Sequence, residues 1–402
     1  MITLGLVDSV DDNGVYVTMP GSRGVLRGPY KSLSTVAAGT TVLVASTDDG
    51  EQVVVGPVGG GHGMYNVRSF GATGDGATDD SDAFHAALAA CSDDGGGVVI
   101  VPAGRYRITE RLTVTDGVTV AGAGKSPATG APTYLDFTDC VDYCIFIDDG
   151  SDIVLRDFYL GGPGGVDDII HVRGSSRRIT LERLIVNGGG TTGVGVQLGH
   201  TESVIQSTVQ QVTVVSCGTG LSVSQASTSV GIRDCYVNAN SIGYKIYGTY
   251  IALQSCAADS NTLYGYVLQD ANAVTLTSCG SEVNDRTGFL CTGATHVTFL
   301  GCRGVGNNAD ADAYFPSFLG INDSSDHITV VGCVDTSPES GTTHSIKTFS
   351  GSAGPNVSVL NSTFPLTVVG VPDVSGSRGG NAALASLLTT LESLGLITDS
   401  SS

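Results

Sequence analysis

A six-residue phrase that ends in cysteine recurs along this chain. Successive copies are separated by 18, 21, 23, 23 and 31 residues, and their cysteines are Cys217, Cys235, Cys256, Cys279, Cys302 and Cys333. Three further phrases place Phe158, Leu184 and Ser362 in the same position. A motif repeated at such periods is the signature of a solenoid, in which each repeat stacks on the next one.

The phrase itself predicts a strand followed by a turn. Apolar residues alternate with other residues before a small or polar residue and the final cysteine, as in VTVVSC and VTLTSC. This alternation predicts a half-buried strand, and the residue before the cysteine predicts a bend. A second strand follows, as in GYKI from Gly243 and GYVL from Gly265. Several short strands in each repeat predict a parallel β-helix, whose coils bury their inner faces against one another.

A column of asparagines accompanies the cysteines. Each lies five residues after its cysteine, and the four are Asn240, Asn261, Asn284 and Asn307. An amide can donate a hydrogen bond to one coil and accept one from another, so stacked asparagines would satisfy buried polar groups along the solenoid. The column supports the fold and carries no information about function.

Composition narrows the class of protein. The chain has 402 residues, of which 41% are hydrophobic and 14% are charged, and its formal net charge is −20. This hydrophobic content excludes a disordered chain, and the negative charge argues against nucleic acid and against anionic membrane surfaces. The start MITLGLVDSVDD does not predict a signal peptide, and no run of about 20 apolar residues predicts membrane insertion.

The ten cysteines do not predict a disulfide framework. Six occupy stacked inward positions, where a thiol behaves as a small hydrophobic side chain. Cys140 and Cys144 are the pair whose state the sequence leaves open, with free thiols favoured over a disulfide.

The N-terminal part divides into two segments. Residues 1–58 carry short alternating stretches broken by DDNG and TDDG, which predict a small β-barrel, and residues 59–64 form a glycine-rich linker. The segment after Asp80 predicts an amphipathic helix from Asp82 to Cys91. Such a helix would cover the open end of the β-helix and hide its unpaired backbone groups.

From Tyr65 the sequence reads YNVRSFGATGDGATDDSDAF, and it continues with VVIVPAGRY and VAGAG. These motifs closely resemble the opening of the pectate-lyase-like β-helix superfamily as it appears in bacteriophage tailspikes. The resemblance covers residues 65 to 140 by motif and extends to 369 by repeat pattern. It implies an all-β fold: a right-handed parallel β-helix over residues 65–369, with an N-terminal capping helix. It also implies that the aspartates of the motif are structural.

The C-terminal part predicts an assembly element. Residues 370–380 form a second linker, and residues 381–402 predict a short coiled-coil helix. Its apolar positions are spaced by three and four residues, at Leu384, Leu387, Leu391 and Leu394. Because two heptads hardly support an isolated helix in water, we expect the helix to join three chains, as the resemblance to trimeric tailspikes implies. The alternative is a helix that folds back on the end of the β-helix.

Two carboxylates form the predicted catalytic site. Alternation places Cys256 and Ala258 inward, so Asp259 points outward, and the same count places Glu282 outward one coil further along. Their spacing approaches that of retaining glycosidases, with Asp259 as nucleophile and Glu282 as acid. Asn238 and Asp285 are the predicted substrate-binding residues. The alternative is that an acidic protein places carboxylates all over its outer surface.

The resemblance and the modular organisation together indicate a homotrimeric phage tailspike or minor tail protein. We expect it to be made in the host cytoplasm and carried on the virion. The barrel would attach to tail or baseplate proteins, and the β-helix would bind host surface carbohydrate. Two alternatives remain: a polysaccharide depolymerase, either hydrolase or lyase, or a structural and binding fibre without catalysis. No cofactor or metal is expected, since the seven histidines show no ligand pair close in sequence.

Overall fold

The protein is described here from a computed structural model. The structure describes the strands between residues 2 and 57 that are named below. Beyond them it describes residues 63–125, 132–140, 143–165, 168–190, 192–308, 316–322, 324–336, 345–348, 356–363, 368–369, 373–374, 388 and 398–399.

The chain divides into two compact units, Met1–Gly63 and Met64–Ser402. Five strands of the first unit pair into a closed barrel. They are Ile2–Asp11, Gly14–Thr18, Leu26–Ser32, Thr41–Ser46 and Gln52–Pro57. All neighbours are antiparallel except Leu26–Ser32 and Gln52–Pro57, which run parallel. Val15, Val17 and Val44 are buried in this unit.

The second unit is a parallel β-helix with three faces. The first face and the second face belong to one sheet of 21 strands, and the third face is a sheet of 11 strands. The first face contains Gly97–Val101, Val118–Gly122, Val154–Gly161, Thr180–Asn187, Thr208–Gln210, Gly231–Arg233, Ala252–Gln254, Asn272–Thr277, Thr295–Leu300, Asp326–Val331 and Val357–Leu360.

The second face contains the later halves of Val154–Gly161 and Thr180–Asn187 and the strands Gly104–Arg107, Thr133–Asp136, Thr213–Val215, Tyr236–Asn238, Ala257–Asp259, Gly280–Glu282, Arg303–Val305 and Val334–Asp335. Gly63–Asn66 and Asp75–Asp79 precede these strands in the same sheet. The third face contains Leu112–Thr113, Ile145–Asp148, Asp168–Arg173, Val194–Leu198, Thr219–Val223, Ile242–Ile246, Tyr264–Gln269, Phe289–Thr292, Leu319–Ile321, Ile346–Thr348 and Val368–Val369.

The corner between the first and second faces is made by the residue before the repeated position in eight of the nine phrases. These eight residues have a positive φ of 47 to 64°, and they are Asp157, Arg183, Asp234, Ser255, Ser278, Gly301, Gly332 and Asn361. The left-handed conformation turns the chain while the next side chain stays inward. The predicted bend is confirmed, and the six repeated cysteines are buried as expected.

The phrase that ends in Cys217 requires a correction to the sequence alignment. Ser216 follows the second-face strand Thr213–Val215, and Gln211, with a φ of 53°, makes the first corner of that coil. Cys217 therefore lies in the column of the asparagines, where its backbone N–H donates to Asn240 Oδ1 at 2.9 Å.

The asparagine column is also confirmed, at the corner between the second and third faces. Asn261 Oδ1 accepts hydrogen bonds from the backbone N–H of Asn240 (3.1 Å) and from its Nδ2 (3.2 Å). Asn284 Oδ1 accepts from Asn261 in the same way, at 3.0 and 2.7 Å. Asn307 continues the ladder by accepting from Asn284 Nδ2 at 2.8 Å. Each amide therefore ties its own coil to a neighbouring coil.

The α-helix Ser81–Asp93 packs on the first coil of the β-helix. Its buried face includes Phe84 and Leu88. Asp80, the residue before the helix, accepts hydrogen bonds from the backbone N–H groups of Thr73 (2.7 Å) and Gly74 (3.2 Å). This carboxylate therefore holds the preceding FGATGDG loop, which agrees with a structural role for the aspartates of the motif.

The C-terminal prediction lies mostly outside the described residues. Leu388 is helical and buried, whereas the four leucines of the predicted seam belong to the undescribed part. One correction concerns the end of the predicted 381–402 helix, because Thr398–Asp399 forms a parallel strand pair with Asp373–Val374. A β-branched threonine followed by aspartate has low helix propensity, so pairing of the backbone with Asp373–Val374 prevails there.

Cys140 and Cys144, whose state the sequence left open, are buried thiols that form no disulfide. Three aromatic rings stack inside the third face, those of Tyr244, Tyr266 and Phe289, with centroids 4.6 and 4.7 Å apart.

In the described part of the chain, no helix has the length and apolar character needed to cross a membrane.

Candidate functional site

The predicted carboxylates lie at paired positions on the second face. Asn238 is in register with Asp259, and Asp259 is in register with Glu282 on the next strand. The residue immediately before each carboxylate, Ala258 or Ser281, is buried. The carboxylates therefore project from the outer surface of adjacent strands, as strand alternation requires.

A shallow cleft of about 230 Å³ surrounds this pair. Tyr236 forms one end of the cleft and Arg303 lines the other, each from a strand next to the pair. Tyr236 is 40% exposed, which leaves an aromatic surface open beside the carboxylates. The cleft thus combines two acids, one phenol and one guanidinium.

Asp259 is held by two donors. Tyr236 Oη donates to Asp259 Oδ2, and Ser260 Oγ donates to Oδ1 at 2.8 Å. The hydrogen bond to Asp259 is the main cause that raises the pKa of Tyr236 to about 12, with desolvation and the charge of Glu282 as further causes. Tyr236 therefore stays protonated near neutral pH and fixes the orientation of the carboxylate.

Asn238 and Asp285, the predicted substrate-binding residues, do not line this cleft. Asn238 is half-buried, and its carbonyl accepts a hydrogen bond from Asn240 Nδ2 at 2.9 Å. Asp285 follows the corner at Val283, whose φ of 48° turns the chain toward the third face. The sequence count did not include this turn, and the role of Asn238 and Asp285 in substrate binding stays a prediction.

A second polar cluster lies on the third face and was missed by sequence reasoning. His171 Nδ1 contacts Asp168 Oδ2, and the two residues are only 3% and 8% exposed. Asp168 Oδ1 also accepts from the backbone N–H of Val194 at 3.0 Å. Phe146 and Gln197 are paired in register with His171 on the adjacent strands. Aligning the third strands of successive coils would have revealed this outward column.

Aromatic and cationic side chains surround the buried Asp168–His171 pair. The ring of Tyr143 lies 4.3 Å from that of His171 and stacks on Phe146 at 5.6 Å. The guanidinium groups of Arg111 and Arg173 lie over Phe146, at 4.6 and 5.0 Å from its centroid. Flat aromatic surfaces beside cations can contact both the apolar face and the carboxylate of an acidic sugar. We name these six residues the third-face cluster.

No group of three or more His, Cys, Asp or Glu side chains in the described ranges is arranged to hold a metal ion.

Two protein-family models match the chain. One is described as "Right handed beta helix region" and matches residues 168–335. The other is described as "Rhamnogalacturonase A/epimerase, pectate lyase-like" and matches residues 64–134. The chain contains a pectate-lyase-like right-handed β-helix. The fold expected from the repeats and from the resemblance is confirmed at this level.

Among curated proteins, mannuronan C5-epimerase AlgE4 of Azotobacter vinelandii is 34% identical over 146 residues, which cover 30% of this chain and 26% of the relative. Alginate lyase 7 of the same organism is 46% identical over 67 residues, or 15% of this chain and 8% of the relative. The chain thus matches about a quarter or less of these two relatives.

Among solved structures, the AlgE4 A-module has a TM-score of 0.57 at 21% identity. The match covers 76% of this chain and 100% of the module. The Dettilon tailspike protein has a TM-score of 0.52 at 13% identity, covering 75% of this chain and 68% of the tailspike. At these identities the likeness concerns the fold. The β-helix of this pectate-lyase-like chain is therefore shared with both epimerase modules and tailspikes.

Proposed function

We propose that this β-helix protein binds a polysaccharide along its outer surface and cleaves it in the cleft on the second face. The observation that carries this proposal is the register pairing of Asp259 and Glu282 beside an exposed tyrosine. Proteins with the same fold whose names include alginate lyase, epimerase and tailspike support a carbohydrate substrate.

The spacing of the two acids suits hydrolysis with retention. Adjacent strands lie about 4.8 Å apart, and retaining glycosidases separate their two carboxyl groups by about 5 to 5.5 Å. Asp259 is fixed by Tyr236 and Ser260, which suits a nucleophile that must point at one carbon atom. Glu282 is exposed and suits the acid that protonates the leaving oxygen. Arg303 and Tyr236 would position the sugar on either side.

Substitution of the acids tests this proposal. Asp259→Asn and Glu282→Gln each keep the shape of the side chain, and both should abolish release of reducing ends from a cleaved capsular or cell-wall glycan. Asp234→Asn is a matched control, because Asp234 is an exposed carboxylate on a corner outside the cleft. Cleavage that survives both substitutions would place the reaction elsewhere on the molecule.

A second candidate function is proton abstraction from a uronic acid, leading to elimination or epimerisation. The third-face cluster favours it, because a buried Asp–His pair can act as a base while Arg111 neutralises the sugar carboxylate. Arg173 already pairs with Asp148 at 2.8 Å, so it would add to this charge only in part. His171→Gln should then abolish formation of the unsaturated product, measured by its ultraviolet absorbance, or proton exchange at C5, measured by NMR in heavy water. Asp259→Asn should leave both unchanged, which separates the two candidates.

We further propose that the protein is a homotrimeric tailspike or minor tail protein of a bacteriophage, carried on the virion. In this arrangement the barrel attaches to the tail, the β-helix meets host surface carbohydrate, and the C-terminal leucines help to join the chains. The support is the modular organisation of the sequence and the presence of a tailspike among proteins of the same fold. A binding fibre without catalysis is the alternative if the cleft proves inert on the host glycan.

A further inference from the structure

Two histidines that are far apart in sequence meet on the surface of the β-helix. His296 and His327 occupy equivalent corner positions in strands Thr295–Leu300 and Asp326–Val331, where the flanking residues are paired in register. Both are exposed, and their rings stack with centroids 4.8 Å apart and planes 14° apart. The fold therefore creates a histidine pair that no close spacing in the sequence reveals.

Each of the two rings is held through its Nδ1 atom. His296 Nδ1 lies 3.2 Å from Asn272 Oδ1, and His327 Nδ1 lies 2.8 Å from Asp326 Oδ2. A carboxylate only accepts hydrogen bonds, so the Nδ1 of His327 carries the proton, and an amide oxygen favours the same tautomer for His296. The lone pair of each neutral ring is then on Nε2. Metal-binding histidines are oriented in this way by an oxygen on the nitrogen that does not bind the metal.

Asp326 is itself fixed. Its Oδ1 accepts from the backbone N–H of His327 (2.9 Å), from the backbone N–H of Asn356 (3.0 Å) and from Asn356 Nδ2 (2.9 Å). The carboxylate is thus committed to orienting His327 and serves as a support for the ring, not as a ligand.

Packing of the coil does not account for the histidines. The equivalent positions of the two preceding coils hold Tyr250 and Ala273, which share the same left-handed conformation. The φ values of His296 and His327 are 55 and 54°, a region that is unfavourable for residues other than glycine. Tyrosine and alanine thus occupy the same corner in neighbouring coils, so the backbone there does not require histidine.

We propose that His296 and His327 bind one divalent transition-metal ion, such as Zn²⁺, Ni²⁺ or Cu²⁺, through their Nε2 atoms. Imidazole nitrogen suits these ions, whereas Ca²⁺ and Mg²⁺ prefer oxygen ligands. Two protein ligands leave the remaining positions to water or to a group from a binding partner. The ion joins two successive coils, so binding stabilises their stacking.

Binding requires a small movement of the rings. Metal–nitrogen bonds of about 2.0 to 2.1 Å bring the two Nε2 atoms to roughly 3.3 Å in a tetrahedral site. The rings must therefore tilt toward each other at their outer edges. Both side chains are exposed, so this rotation is available on the nanosecond timescale.

Titration of the full chain with Zn²⁺ and, separately, with Ni²⁺ tests the proposal. The protein should carry no affinity tag, and binding is followed by calorimetry. We expect one ion per chain at this site, and a loss of affinity of about tenfold or more in both His296→Asn and His327→Asn. Asparagine is chosen because it tolerates the left-handed conformation and does not replace an imidazole ligand. His85→Gln, which removes a histidine on the capping helix, is the matched control and should bind as the unaltered chain does.

A second readout is thermal unfolding. Metal should raise the midpoint temperature of the unaltered chain and of His85→Gln, and it should raise it less or not at all in the two asparagine variants. Two results would overturn the proposal: no binding of either ion at millimolar concentration, or binding that is equally strong in the His296→Asn and His327→Asn double variant.

Discussion

At the scale of single residues, each asparagine of the buried column forms hydrogen bonds with its neighbours in the column, and we call this column the amide ladder. Asn261 is fully buried and contacts two other asparagines of the column, Asn240 on one side and Asn284 on the other. Removing such a side chain leaves buried backbone and amide groups without partners. A buried polar group left unpaired costs more than the hydrogen bond itself contributes.

We expect Asn261→Ala to lower the free energy of unfolding by about 2 to 4 kcal/mol, because the N–H groups that it accepts from lose their partner. Chemical denaturation followed by circular dichroism measures this. Thr262→Ala, at the exposed next residue, should change stability by less than about 0.5 kcal/mol. Equal effects of the two substitutions would show that the ladder is not a source of stability.

Val283 is an unfavourable residue for its corner. Its φ is 48°, a conformation in which a β-branched side chain is strained, and the equivalent residues of other coils are Ala239, Ser260 and Gly306. We expect Val283→Asn to stabilise the protein by about 1 kcal/mol, measured by denaturation. Val283→Ala should gain less, because alanine remains strained there. A destabilised asparagine variant would indicate that the exposed isopropyl group makes a contact that matters more than the strain.

At the scale of structural elements, the column of cysteines forms a continuous inner seam. All ten cysteines are buried and none forms a disulfide, and burial raises the pKa of Cys217 to about 12. Thiolates react with disulfide reagents and thiols hardly do, so Cys217 is protected by both burial and protonation, and the other cysteines are protected by burial.

We therefore expect almost no labelling of the native protein by a thiol reagent at pH 8, and labelling of all ten cysteines after denaturation. Raising the pH toward 10 should change the labelling rate of the native protein only as far as it speeds unfolding, because the reagent does not reach the buried thiols. Mass spectrometry counts the labels. Rapid labelling of folded protein would mean that a coil opens readily in solution.

Sequence reasoning succeeded where one position repeats and failed where positions come from different coils. The other corners, five of the six repeated cysteines and the amide ladder were predicted because each recurs at a fixed offset, whereas Cys217 was aligned wrongly and lies in the column of the asparagines. The cleft was predicted only in part, since the register brings Tyr236 and Arg303 beside the two acids from separate strands. The third-face cluster was missed because His171 and Phe146 share a column without sharing a residue type.

At the scale of the whole molecule, the division into two compact units matters for how function is distributed. The boundary falls between Gly63 and Met64, at the end of the glycine-rich segment. Few contacts are expected to cross such a boundary, so each unit should keep its own stability.

Deleting residues 1–58 should leave a folded β-helix. Its far-ultraviolet circular dichroism signal and its glycan binding should be unchanged. The proposed attachment to the phage particle should be lost, which is measured by incorporation into virions assembled with the shortened chain. Loss of the β-helix signal on truncation would show that the barrel completes the core of the second unit.

The C-terminal leucines are expected to contribute to trimer formation. Leu387→Asp combined with Leu391→Asp would place charges in an apolar seam, at a cost of several kcal/mol in each chain. Light scattering at micromolar protein should then show a shift from trimer toward monomer. Replacing the same two residues by Ile is the control and should keep the trimer. An unchanged mass in the Asp variant would assign assembly to other surfaces.

The equivalence of the corner positions also restricts how such a chain can change its length over evolution. Removing residues 257–279 would join Cys256 to Gly280 and keep every later corner at its proper place. Removing one residue inside a strand would instead turn the inward side chains of that strand outward. Insertions and deletions should therefore survive as whole coils or as loops at the corners, so that members of such a lineage differ by whole coils while each surviving coil keeps its register.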